Sequence, residues 1–255
     1  MIRNLLSICG PNTLSQMREE GLTSSESYVD FGAAAIDYSL GGGLKRGGLH
    51  EIFAVNKEDG CAATAFAVML AVRAIGDHRS LLWVREDRCV RNVGLLHAPG
   101  LFEIGCDPDR IVMVIASDTL GLLRAGADSI KCGQAGAVVL EPWGKAAALD
   151  LTSSRRLAMA AAAKGVFTLV VRTDAEPIAS AAHSRWQVAS APSAPLAANA
   201  PGHPAFDIAL LRHRGGIPGF EARLEWNRDK GHFAPLSGGV PTLAAVRADQ
   251  ARKAA

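Results

Sequence analysis

No two of the five cysteines stand in a C-x-x-C pair. Cys9, Cys61, Cys89, Cys106 and Cys132 are scattered, a pattern that points to reduced thiols and offers no metal constellation. No apolar stretch reaches the roughly 18 residues of a helical membrane span. The opening MIRNLLSICGPNTLSQMREEG has too short an apolar run for a signal peptide and soon turns charged. A cytoplasmic location is expected. Charge excess is also missing. The net charge is only +2, so the chain as a whole demands no polyanionic partner, and any nucleic-acid contact must come from a local patch. What is present is enough for a substantial core: 255 residues, 49% of them hydrophobic and 20% charged. That balance argues against disorder.

Short β-compatible runs alternate with longer helical ones. LHEIF (49–53), SLLWV (80–84), IVMVIA (111–116), AVVLE (137–141) and VFTLVV (166–171) read as strands. Most are continuous apolar runs, as in a parallel sheet covered on both faces. Residues 61–75, 86–97, 118–132 and 151–164 are helix-compatible. The alternation predicts an α/β fold with right-handed crossovers. After about residue 185 the pattern changes. RWQVAS precedes a Pro/Ala/Ser-rich surface loop, APSAPLAANAPGHP. FDIALLRHR and GFEARLEWNR then flank GGIP, which predicts an antiparallel hairpin added to the sheet. The expected division is an arm or linker over 1–30, a core domain over 31–236 and a frayed helical tail over 237–255.

FAVNKEDGCAATAFAVML (53–70) sits where a strand–loop–helix phosphate site would lie, but the gripping residues are missing. A working loop, G-x-x-x-x-G-K-[ST], wraps phosphates with backbone N–H groups, a lysine and a Mg²⁺-binding hydroxyl. With Gly60 as the second glycine, Val55, Cys61 and Ala62 replace the first glycine, the lysine and the hydroxyl. Starting from Ala54 instead restores neither. Glu58 and Asp59 add negative charge where a triphosphate would lie. A rearranged loop would have to recruit Lys57 and Thr64. Taken alone, the segment is simply a strand–turn–helix connection.

The preceding FGAAAIDYSLGGGLKRGGLHEIF (31–53) resembles the segment that leads into the phosphate loop of RecA recombinases. SLLWVRED places Glu86 where that family has its catalytic glutamate. GAVVLE places Glu141 at the Walker B acid. LLRHRGGIP places Arg212 and Arg214 where two lysines reach a neighbouring subunit's nucleotide. The resemblance covers roughly residues 31–236 and implies a RecA-like core. The two regions matching RecA's mobile DNA-binding loops are short. A RecA-like core without the loop lysine, ending RWQVASAPS and LLRHRGG…FEARLEWNRDKGHF, is similar to the ImuA family. That resemblance implies a non-catalytic accessory protein of SOS-induced mutagenesis and translesion synthesis, without a cofactor. The partners it implies are ImuB, an inactive Y-family polymerase relative, and an error-prone C-family polymerase, with RecA as a further contact. A SulA-like division inhibitor and a weak ATPase with a rearranged loop are the competing readings.

The candidate residues each have a plainer alternative. Glu86 holds a catalytic position or a structural one. Glu141 is a Mg²⁺ ligand, or a carboxylate bonded to nearby backbone and basic groups. Arg212 and Arg214 contact a partner or line a solvated hairpin edge. Arg223, Arg228 and Lys230 form a weak DNA-contacting patch with Trp226, or Trp226 packs into the hairpin core.

Overall fold

The computed structural model describes residues 27–77, 79–196, 198 and 200–236. The expected arm lies outside these residues except for its last four positions, and the expected tail lies wholly outside them. Strand β1 (Tyr28–Val29) pairs antiparallel with β2 (Leu44–Lys45) around helix α1 (Ala34–Ser39). Gly41, Gly42 and Gly43 join α1 to β2 with φ of 69°, 117° and 121°, values that side chains resist. A Cβ on Gly43 would also collide with the Val29 carbonyl oxygen. The triple glycine is therefore a backbone requirement.

Nine strands form the main sheet: β3 (Leu49–Ala54), β4 (Leu81–Glu86), β5 (Ile111–Ala116), β6 (Ala137–Glu141), β7 (Phe167–Arg172), β8 (Ser184–Ala191), β9 (Ala205–His213), β10 (Glu221–Asn227) and β11 (His232–Pro235). Their order is β11-β10-β9-β8-β3-β7-β6-β4-β5. From β8 to β5 all neighbours are parallel, and β9 to β11 continue the sheet antiparallel. The α/β architecture expected from the alternation is therefore present, with its C-terminal antiparallel strands.

Among the described residues, five further α-helices accompany the sheet: α2 (Gly60–Ile75), α3 (Asp87–Val93), α4 (Ala98–Glu103), α5 (Thr119–Cys132) and α6 (Leu151–Lys164). Along β6, Ala137 and Val139 join one core cluster while Val138 and Leu140 join the other. That is the period-two signature of a strand covered on both faces. The first cluster surrounds α2, which is apolar on every side and runs through the core with Phe66 to Ala71 all buried. The second lies under α5 and α6 and includes Leu122 and Leu157. Among the described residues no helix is long and apolar enough to cross a membrane.

Three expectations are corrected. IVMVIA is an edge strand, so Val112 and Ile115 are 52% and 45% exposed instead of covered on both faces. The helix expected over 86–97 stops at Gly94, whose φ is 81°. A separate α4 then starts behind His97, whose Nδ1 accepts the Gly100 N–H at 3.2 Å. Lastly, the hairpin gains a third strand. In β11, Phe233 is fully buried, and its N–H donates to the Phe31 carbonyl at 2.9 Å.

Candidate functional site

The turn after β3 is closed on itself. Residues Lys57–Asp59 form one 3-10 turn capped by Asn56. The Asp59 carboxylate accepts the backbone and side-chain N–H groups of Asn56, both at 3.3 Å. It also accepts the N–H and hydroxyl of Ser190, both at 3.0 Å. These bonds, led by the Ser190 N–H, hold Asp59 below the usual carboxylate pKa. Two backbone donors that could face an external anion are thus occupied by the turn's own carboxylate. Lys57 and Val55 are exposed, and Ala62 is half-buried.

Gly60 begins α2 with φ −54° and ψ −43°, ordinary helical values open to any residue. Its lack of a side chain has another cause: a Cβ would stand 2.7 Å from Thr173 Cγ2. Gly60→Ala is therefore expected to destabilise the protein by about 1–3 kcal/mol in urea unfolding. Thr173→Ser removes the obstructing methyl and should recover most of that loss in the double variant. A Gly60→Ala protein as stable as the parent would refute the packing account.

Glu141 ends β6 with its side chain only 4% exposed, and it is not left alone there. Arg85 Nε donates to Oε2 at 2.7 Å, and Trp83 Nε1 donates to the same oxygen at 3.1 Å. The Thr64 hydroxyl donates to Oε1 at 3.3 Å. The Arg85 side chain is 2% exposed, so this is a buried ion pair. Arg85 also donates to the Gly94 carbonyl at 2.9 Å, tying the end of α3 to the site. Glu86 points elsewhere: it accepts the Thr119 hydroxyl at 2.9 Å and, more loosely, the Trp143 N–H at 3.4 Å. Cys89 is buried, and its thiol is pushed up to about 12, first by desolvation and then by the Glu141 charge. Among the described residues, no group of three or more His, Cys, Asp or Glu is arranged to hold a metal ion. Over this floor lies a cavity of about 260 Å³, between α2 and the α3–α4 connection. Gly60, Cys61 and Glu141 meet along its wall, whereas Val55, Ala62 and Glu86 do not line it.

Two relatives match most of the chain. Protein ImuA from each of two strains of Caulobacter vibrioides is 34% identical over 219 residues, covering 79% of this chain and 84% of the relative. This chain belongs to the ImuA family. No protein-family model matches the sequence.

In this ImuA-family chain the basic candidates of the hairpin have dissimilar settings. Arg212 donates to the Ser180 carbonyl at 3.1 Å. Arg214 is exposed just beyond β9. Between Arg185 and Trp186 the β8–β9 register shifts, so Arg212 and Leu210 are paired and Leu211 bulges. Arg223 binds both Asp207 oxygens, at 2.6 and 2.7 Å. Arg228 donates to the Gly202 carbonyl, and Lys230 is exposed. Trp226 is not on a surface. Strand alternation turns it inward with Leu224, leaving it fully buried, 4.9 Å from the Phe233 ring and hydrogen-bonded to the Ile104 carbonyl at 3.1 Å. Its ring offers no face for stacking a base. Arg85 was not among the candidates from sequence. Its signal was a basic residue directly after the apolar run LLWV and before Glu86.

Proposed function

We propose that this ImuA-family chain is a non-catalytic RecA-like adaptor of SOS-induced translesion synthesis and mutagenesis. It acts in the cytoplasm with ImuB and an error-prone C-family polymerase, and it contacts RecA. One observation carries the reading: the acid at the Walker B position is neutralised by the buried Arg85. That pairing leaves no free carboxylate there for a metal-bound nucleotide. The closed turn around Asp59 supports the same conclusion, because the missing lysine is not replaced and a carboxylate occupies the donors. Of the basic candidates around the hairpin, the exposed Arg214 and Lys230 are open to a partner or to weak DNA binding.

Two experiments test this reading. Calorimetric titration of ATP with Mg²⁺ should give no binding heat at millimolar nucleotide. A strain lacking the protein should grow normally and lose most damage-induced mutation. Saturable ATP binding would restore the ATPase reading, and unchanged mutation frequency would remove the mutagenesis role.

A further inference from the structure

We infer that the 260 Å³ cavity is a binding site for a neutral, bicyclic aromatic group. It sits at the carboxyl ends of β4, β6 and β7, where open parallel sheets bind ligands. Its chemistry does not suit a nucleotide. Ala65, Val68, Leu96, Leu101 and Ile104 supply apolar walls. The two charges on its floor, Arg85 and Glu141, are bonded to each other, so an ionic ligand would be desolvated without a free counter-charge.

Size narrows the class. An apolar cavity of about 150 Å³ takes one benzene ring, so 260 Å³ fits two fused rings. Besides the ion pair, Cys61, His97, Trp143 and Thr173 also bring polar atoms to the lining, and the Thr64 hydroxyl on the floor sets orientation. The Thr64 hydroxyl uses its hydrogen on Glu141 and keeps lone pairs for one N–H or O–H donor. At the mouth, Val93 and Leu95 are 45% and 74% exposed, so apolar contact continues past the ring. The group that fits best resembles an indole. A free small aromatic molecule and a tryptophan side chain share that chemistry.

The test titrates the full chain with indole, with benzofuran (the same shape without a donor) and with N-acetyltryptophanamide, by calorimetry. Indole should bind one site with Kd on the order of 0.1–1 mM. Ala65→Leu and Leu96→Phe fill the cavity from opposite walls. In whichever of them unfolds cooperatively like the parent, indole should bind at least about tenfold more weakly. Thr64→Val should weaken indole several-fold and leave benzofuran unchanged. N-acetyltryptophanamide binding as tightly as indole assigns the site to a side chain, and binding of indole alone assigns it to a small molecule. Absence of saturable indole binding, or equal binding in the filled variants, overturns the inference. The titration uses the isolated protein, so its result is independent of the adaptor reading.

Discussion

Replacing Arg85 with methionine should destabilise the protein by about 3–5 kcal/mol, one of the two largest effects expected here. Both partners of the pair are buried, at 2% and 4% side-chain exposure. Removing the guanidinium strands the Glu141 carboxylate with only the Trp83 indole and Thr64 hydroxyl as donors. The carboxylate must then remain charged in an apolar setting or take up a proton, and either outcome costs stability. Glu141→Leu alone should be of similar severity, since it leaves an unpaired buried guanidinium. The double variant Arg85→Met/Glu141→Leu should return to within about 1–2 kcal/mol of the parent, because well-packed apolar groups often replace a buried pair at little cost. Urea unfolding of the four proteins gives the coupling directly. Additive losses in the double variant would show that the pair does not act as a unit.

The same pair shows what the sequence made legible. Glu141 was found through the resemblance of GAVVLE to a Walker B strand. The group that neutralises it lies 56 residues away and faces it only because β4 and β6 are neighbours with Arg85 opposite Glu141. Strand order is a tertiary property, and no local pattern reports it. For the same reason IVMVIA read as an interior strand: its residues are those of a buried run, and only the sheet order leaves it at an edge. Some local signals were there to be read: Asn56 and Asp59 stand three apart, the spacing of a reciprocal cap, and three successive glycines suit the positive φ values that they adopt. Trp226 could have been placed from alternation alone. Leu224 and Trp226 share the inward face of β10, while Arg223 and Glu225 alternate with them.

The other large effect is on acid stability. His50 is fully buried, and its surroundings fix its tautomer. The Lys45 carbonyl, 2.9 Å from Nε2, can only accept, so Nε2 carries the proton. Nδ1 must then accept from the Ser184 hydroxyl at 2.7 Å. Ser184 in turn accepts the Trp186 indole N–H at 2.9 Å. A proton on Nδ1 would take away the acceptor of the Ser184 hydroxyl hydrogen, besides charging a buried ring. Desolvation lowers the His50 pKa to about 3, with His183 and His213 adding to the shift. Burial likewise lowers His183 to about 4, aided by His213, Lys45 and Arg214. His213, 4.7 Å from the His183 ring, is lowered by burial as well.

All three shifts have one sign. An unfolded histidine titrates near 6.5, so between that pH and the folded values the unfolded chain binds more protons. Stability is therefore complete above about pH 6.5 and falls as pH drops towards 4. His50 alone should account for about 3 kcal/mol by pH 4. His50→Gln keeps a donor for Lys45 and an acceptor for Ser184 without a titratable ring. In urea unfolding between pH 6.5 and 4.5, where most carboxylates are still ionised, the variant should lose up to about 1.4 kcal/mol per pH unit of the parent's slope. The remaining slope should then belong to His183 and His213. An identical slope in both proteins would mean that His50 is protonated in the folded state, and that the Ser184 hydroxyl does not hold it neutral.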